Sequence, residues 1–121
     1  MKVYCKDGKV YDTTNKVVDK PCILVDKETS TFHGWGSEEF MTQKYNTIVS
    51  AYNENGFTDM ASACTLISLA DLDVRYTVYI VNRLLLFSAT SFARDLLDRM
   101  DGNKDIFFGW LNQEMERVPI E

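Results

Sequence analysis

The sequence predicts an α+β domain with an antiparallel β-sheet of about six short strands, one helix between the strands and two C-terminal helices. Short β-prone runs separated by polar turns fill the first third, apolar side chains recur at helical spacing after residue 37, and two helix-like segments close the chain. A length of 121 residues suits one domain, and 45% hydrophobic with 26% charged residues is typical of a folded globular protein. We therefore expect residues 1–121 to form a single domain.

The amino-terminal third predicts a β-meander. Asp7-Gly8 lies between two β-prone runs and favours a hairpin turn, because both residues tolerate positive φ. Further polar turns at residues 13–16 and 26–30 separate the runs that follow. The four predicted strands are residues 3–6, 9–12, 22–25 and 31–35.

The most regular pattern in the chain predicts a helix that begins after Ser37. Ser37 is a favourable N-cap, and Glu38 and Glu39 place negative charge in the first turn, where the helix dipole stabilises it. Gly56 provides a C-terminal stop. The side chains at helical spacing, which form the predicted buried face, are Met41, Tyr45, Ile48, Val49 and Tyr52.

A β-hairpin is predicted after this helix. Alternating apolar residues over 61–69 give its first strand, Asp71-Leu72-Asp73 gives its turn, and the β-branched and aromatic residues of 74–81 give its second strand. In this interpretation one face of the sheet displays Arg75, Thr77, Tyr79 and Val81. Arg75 then either grips a phosphate or carboxylate bidentately or pairs with Asp71 or Asp73.

Residues 82–91 fit two interpretations. Either a helix begins near Arg83, or the strand continues to Phe87 and a helix begins at a Thr90 or Ser91 cap. Gly102 ends that helix in both cases, and a last helix, capped by Asp105, runs to Pro119.

Charge and cysteine content exclude several classes of function. A net charge of −5 without a dense basic cluster argues against nucleic-acid binding. Three widely spaced cysteines and one histidine cannot supply a structural zinc site, so no metal and no cofactor is predicted. The amino terminus lacks a signal-peptide pattern and apolar runs such as 84–87 are too short to span a bilayer, so we expect a cytoplasmic protein without membrane contact.

The sequence offers few candidates for catalysis. The single histidine, His33, lies in a predicted strand beside aromatic residues and is expected to be structural or superficial. Asp71 and Asp73 could act as acid and base, but aspartates are also ordinary turn residues. The chain contains no phosphate-binding loop and no dinucleotide fingerprint. We therefore expect a protein that binds rather than an enzyme.

The strongest candidate for ligand binding is the segment around residues 82–94. A helix that starts at Thr90 or Ser91 exposes N–H groups and hydroxyls to an anion, Arg83 and Arg94 can add charge-assisted bonds, and Phe87 or Phe92 can stack on a base. The alternative is an ordinary capped helix with Phe92 in the core and the arginines in surface ion pairs. The candidate ligand-binding residues are Arg75, Asn82, Arg83, Phe87, Thr90, Ser91 and Arg94.

Aromatic residues elsewhere suggest further contact surfaces. Trp35 lies between Gly34 and Gly36, so it either forms an exposed aromatic plate or closes the end of the core. The last helix is apolar on more than one face and predicts a homo-oligomer. The residues expected at that interface are Phe107, Phe108, Trp110 and Leu111.

In size, in the order of a sheet followed by C-terminal helices, and in its late arginine, aromatic and hydroxyl residues, the chain resembles the phage Thoeris anti-defence proteins that sequester signalling nucleotides. The residues that carry this resemblance are Arg75, Asn82, Phe87, Thr90, Ser91 and Arg94. The resemblance covers the whole chain and implies an oligomeric sponge. Such a sponge would bind cyclic ADP-ribose isomers, and cyclic oligonucleotides as well, without hydrolysing them, in the cytoplasm of the infected host.

Two other functions remain open at this point. An acidic domain can imitate DNA and inhibit a host nuclease, as many anti-CRISPR proteins do, although the acids here are dispersed in pairs. A small enzyme that acts on a nucleotide would use Asp71 or Asp73 as its general base.

Overall fold

The computed structural model describes residues 3–86 and 90–117, with only the backbone of Thr90. These ranges contain six strands in two antiparallel sheets and five helices, which confirms the predicted α+β class. The strands are β1 (Tyr4–Lys6), β2 (Lys9–Tyr11), β3 (Val17–Val18), β4 (Pro21–Asp26), β5 (Thr31–Ser37) and β6 (Cys64–Ser68). The helices are α1 (Glu38–Glu54), α2 (Thr58–Ala63), α3 (Val74–Leu86), α4 (Thr90–Met100) and α5 (Lys104–Arg117).

The first three strands form a small sheet in the order β1-β2-β3. Its first turn has the predicted chemistry, since Asp7 and Gly8 have φ values of 55° and 76°. The rings of Tyr4 and Tyr11 stack across the β1–β2 pair with their centroids 5.0 Å apart. The outer face of this sheet is solvated, and its inner face contributes Val10 to the core.

The second sheet has the order β5-β4-β6, and its central strand β4 is buried along its whole length. Ile23 and Val25 face one apolar core together with the C-terminal helices, whereas Cys22 and Leu24 face a second core against α1. The strand therefore belongs to two cores, as the period of two along a β-strand requires.

Helix α1 forms where its capping and spacing predict it. The Ser37 hydroxyl accepts a hydrogen bond from the amide of Phe40, and the helix ends just before Gly56, whose φ is 78°. Met41 is fully buried, and Tyr45, Ile48 and Val49 pack beside it against the second core. The predicted apolar face of α1 is thus confirmed at these positions.

The predicted hairpin over 61–81 is wrong in its second half. Residues 74–81, together with Arg75, Thr77, Tyr79 and Val81, lie in helix α3 instead of on a sheet face. The predicted first strand is shortened to β6 because residues 58–63 form α2. Helical spacing outweighs β propensity here, since buried positions of α3 recur at helical spacing: Thr77, Ile80, Val81 and Leu84.

The three C-terminal helices cover the main core. Asp73 caps α3 through a bond of 2.9 Å from the Arg75 amide, and Asn103, rather than the predicted Asp105, caps α5 by accepting from the Asp105 amide at 2.8 Å. Neither interpretation of residues 82–91 holds in full: Arg83 lies inside α3, which ends at Leu86, and a separate helix, α4, begins at Thr90 as the second interpretation predicts. Pro119 lies outside the described residues.

The three cysteines are free thiols. Cys5 is exposed on the small sheet, whereas Cys22 and Cys64 are buried in the second core. Burial raises the pKa of both buried thiols, and the nearby carboxylates of Glu38 and Asp26 add to the rise for Cys22 and Cys64 respectively. These two thiols are therefore held in their neutral form.

The amino-terminal segment is attached to α3 by one side chain. The buried amide of Asn82 accepts from the Val3 N–H at 3.0 Å and donates to the Val3 carbonyl at 2.8 Å. It thus satisfies both backbone groups of a residue that is 2% exposed, as a neighbouring strand would do.

We expect Asn82→Ala to lower the free energy of unfolding by about 2–4 kcal/mol, because it leaves two buried backbone groups of Val3 without partners. Chemical denaturation monitored by circular dichroism measures this change. Asn46→Ala, on the exposed face of α1, is the matched control and should stay within about 0.5 kcal/mol of the wild type. Equal stability of the two variants would show that the Val3–Asn82 pair does not hold the segment.

Candidate functional site

Of the predicted ligand-binding residues, those that the structure describes do not meet in one hollow. Arg75 and Arg83 lie eight residues apart on α3, which corresponds to about 12 Å along the helix axis. Both polar atoms of the Asn82 amide are bonded to Val3. Ser91 is exposed on α4, while Phe87 and the side chain of Thr90 lie outside the described residues.

The two arginines of α3 are both engaged with carboxylates. Arg75 is exposed, and its Nε lies 3.2 Å from the Asp73 carboxylate. This ion pair is one of the two roles predicted for Arg75. Arg83 donates to Glu114 at 2.7 Å and to the Tyr79 hydroxyl at 2.7 Å, with 16% of its side chain exposed. Burial alone lowers the pKa of Arg83, but the bonds to Tyr79 and Glu114 outweigh it and raise the pKa above the ordinary value.

Arg83 also begins a column of stacked side chains that joins the C-terminal helices. Its guanidinium lies 4.6 Å from the centroid of the Phe92 ring, and Phe92 stacks on Trp110 at 5.8 Å. The guanidinium of Arg99 lies 4.9 Å from the other ring of the pair, Trp110. Phe92 is therefore a core residue, and Arg83 stabilises the packing of α3, α4 and α5.

Arg94 lies at the surface, where it lines a groove of about 210 Å³ between α4 and the β4–β5 turn. Lys27 adds a second cation to this groove, but Asp98 and Asp101 add two carboxylates. The opposite charges cancel, and the residues that line this groove include no aromatic ring on which a base could stack.

A larger concave surface lies where β3, β5 and the start of α1 meet. We call it the Trp35 cleft, and its volume is about 420 Å³, within the range of small-molecule sites. Its apolar wall includes Trp35, Val17 and Phe40, and the latter two are 50% and 54% exposed. The residues that line it are Asp12, Lys16, Val17, Val18, Trp35, Gly36, Ser37 and Phe40.

Glycines on either side of Trp35 allow α1 to approach β5 closely. Gly34 has a φ of 133°, and a side-chain carbon there would lie 2.8 Å from the Lys44 ammonium, which donates to the His33 carbonyl at 2.7 Å. At Gly36 the same carbon would meet Met41 at 3.4 Å. The close approach places Phe40, in the first turn of α1, beside Trp35 in the cleft. Trp35 thus has both predicted roles, since it packs against the core and lines an open cleft.

The polar groups of the Trp35 cleft carry opposite charges on one turn. Asp12 accepts hydrogen bonds from the Thr14 hydroxyl at 2.6 Å, the Thr14 amide at 2.8 Å and the Lys16 amide at 3.1 Å. The bond from the Thr14 hydroxyl is the largest cause that lowers the pKa of Asp12, so this carboxylate stays ionised well into the acidic range. Lys16, two residues from Thr14, is exposed and supplies the positive charge.

Of the side chains considered for catalysis, Asp73 is engaged in the fold. Asp73 caps α3, and the amide and guanidinium of Arg75 lower the pKa of its carboxyl, which weakens it as a general base. His33 lies in β5 at some distance along the chain from either aspartate, and Asp71 is exposed before α3. Within the described ranges, no cluster of three or more His, Cys, Asp or Glu side chains is arranged to hold a metal ion.

Sequence reasoning identified Trp35 but missed Phe40, Lys16 and Asp12. Phe40 carried a signal, since a large aromatic one residue before the buried Met41 cannot share its face on a helix. The sequence around Lys16 and Asp12 contains no such signal, because the place of these residues in the cleft depends on how β3 packs beside β5.

Comparisons with known protein families, with curated proteins and with solved structures gave no match to this chain. In residues 3–86 and 90–117, no helix is long and apolar enough to cross a membrane.

We expect Glu114→Gln to lower the free energy of unfolding by about 1–3 kcal/mol, because it leaves the guanidinium of Arg83 largely buried without its carboxylate. Thermal and chemical denaturation measure the loss. Asp73→Asn is the control, since its partner Arg75 is exposed and the change should have a smaller effect. A Glu114→Gln variant as stable as the control would contradict a structural role for Arg83. Arg83 would then again be a candidate for ligand binding.

Proposed function

We propose that this protein is a non-catalytic binding protein of a phage or mobile element, which sequesters a cyclic nucleotide signal of the cyclic ADP-ribose type and so inhibits a host defence. We place the ligand in the Trp35 cleft. The observation that carries the proposal is that Trp35 and Phe40 line the same cleft as the cationic Lys16.

The chemistry of the cleft suits a nucleotide. A base needs an aromatic face, and stacking on a protein ring contributes about 1–3 kcal/mol for each base. Phe40 is 54% exposed, so its ring is accessible before any ligand binds. Lys16 can neutralise a phosphate, and the ionised Asp12 can accept hydrogen bonds from ribose hydroxyls or an exocyclic amine.

The absence of hydrolysis is part of the proposal. Attack on a phosphate or a glycosidic bond needs a general base near neutral pH, and the bonds that lower the pKa of Asp12 make it a poor one. Apart from Asp12, the Trp35 cleft is lined by two aromatic rings, two valines, a glycine, a serine and one lysine, which bind without activating water.

Phe40→Ala should weaken binding of cyclic ADP-ribose isomers by about 1–3 kcal/mol, because it removes a stacking face. Isothermal titration measures the affinity, and heat denaturation followed by chromatography shows whether the ligand is returned intact. Phe57→Ala is the matched control, since Phe57 is also 54% exposed but does not line the cleft. Lys16→Ala should weaken binding and reduce its salt dependence, whereas Lys104→Ala should not.

Several outcomes would contradict this proposal. Loss of binding in Arg94→Ala but not in Phe40→Ala would indicate that the ligand binds in the groove that Arg94 lines, between α4 and the β4–β5 turn. A chemically changed ligand would indicate an enzyme. Binding of no nucleotide, together with co-purification of a host nuclease, would favour the acidic inhibitor of a protein target.

Self-association through α5 remains a prediction. In the described fold, several of the apolar side chains predicted for this interface already pack within the chain. Phe107 and Leu111 are buried within the chain, and Phe108 packs against Tyr76 with ring centroids 5.3 Å apart. Ile106, which is 64% exposed, is the apolar residue of α5 that faces solvent most fully.

If α5 forms the subunit interface, Ile106→Glu should shift the mass measured by light scattering from oligomer to monomer, because a charge would enter an apolar contact. Lys104→Glu, two residues earlier in α5 and already exposed and polar, is the control. A monomeric wild type would end the prediction, and an oligomer unaffected by Ile106→Glu would place the interface elsewhere.

A further inference from the structure

A second cleft lies between the small sheet and the start of α3, and it shares Val17 and Val18 of β3 with the Trp35 cleft. We call it the Leu72 cleft, and its volume is about 300 Å³. Its walls are mainly apolar, with Val10 and Val18 from the small sheet and Leu69, Leu72 and Val74 from the segment that enters α3. Thr77 lines it as well, but its hydroxyl already donates to the Leu69 carbonyl at 3.3 Å.

Two lysines stand at the rim of the Leu72 cleft. Lys9 and Lys20 both line it and are exposed, whereas the acidic residue of the lining is Asp19. The lining thus carries one net positive charge in a chain whose overall charge is −5. An occupant with one negative charge complements this rim.

The backbone at Lys20 has an unfavourable conformation. Its φ is 48°, in the left-handed region that residues other than glycine, asparagine and aspartate rarely adopt. Residues held in this region cluster at active sites and ligand clamps. Here this conformation fixes the Lys20 backbone beside Pro21 at the mouth of the cleft.

We propose that the Leu72 cleft binds a compact apolar monocarboxylate, such as a medium-chain fatty acid. The hydrocarbon part lies against Val17, Val18, Leu72 and Val74, which are the exposed or half-buried apolar side chains of the lining, and the carboxylate lies at the rim beside Lys9 and Lys20. The volume is about twice that of an engineered cavity of about 150 Å³ that holds benzene, so a chain of octanoate size is a suitable probe. This inference does not depend on the nucleotide proposal.

The test compares octanoate with octanamide, which has the same length and no charge. Titration followed by amide chemical shifts should show octanoate perturbing Leu69, Leu72 and Val74. Octanamide should bind about two- to five-fold more weakly, the range expected for exposed lysine–carboxylate pairs. Equal affinity for the two probes, or no perturbation of these amides by octanoate, overturns the proposal.

Two variants keep the test independent of folding. Ala70→Trp fills the cleft from an exposed position and should abolish octanoate binding. Lys20→Gly should raise the melting temperature by relieving the positive φ while it weakens octanoate binding. Asn15→Gly, at a φ of 66° outside the cleft, is the matched control and should leave octanoate binding unchanged.

The nucleotide variant separates the two sites. Phe40→Ala should bind octanoate as the wild type does, since Phe40 does not line the Leu72 cleft. Octanoate binding that survives in Ala70→Trp, or that is lost in Phe40→Ala, overturns the assignment to this cleft.

Discussion

The burial of β4 on both faces is the constraint on which the rest of the fold depends. Ile23 and Leu24 are both 0% exposed, yet they point into different cores. A strand with two apolar faces needs a cover on each, and α1 supplies one while α3, α4 and α5 supply the other. The connections that lead to these covers create the two clefts, since β3 enters β4 from one side and β5 leaves toward α1 on the other.

On the side of the main core, hydrogen bonds between polar groups fix the register of the helices, which apolar packing alone leaves undetermined. Tyr76 donates to Asn112 at 2.9 Å, and one turn later Tyr79 donates to the Glu114 carbonyl at 3.0 Å. With Arg83 bonded to the Glu114 carboxylate, α3 and α5 are joined at successive turns and can adopt only one register. Arg83, which the sequence suggests as an anion-binding residue, is used for this purpose.

Local signals predicted the elements that depend on local chemistry. Asp7-Gly8 and Ser37 act within a few residues of themselves, and the turn and the helix they predict are both present. Helix α3 was missed because β-branched and aromatic residues were weighted above the spacing of Thr77, Ile80 and Leu84. The partners of Asn82 and Arg83 could not be read from the sequence, since Val3 and Glu114 lie 79 and 31 residues away.

The pairing of Val3 with Asn82 has a consequence for the order of folding. It closes a loop of 79 residues, and the small sheet gains its main attachment only when α3 already exists. A short three-stranded sheet has little stability of its own, so its docking comes late in folding and its release comes early in unfolding. Because that sheet forms one wall of each cleft, a ligand in either cleft would contact a part of the molecule that is released early in unfolding.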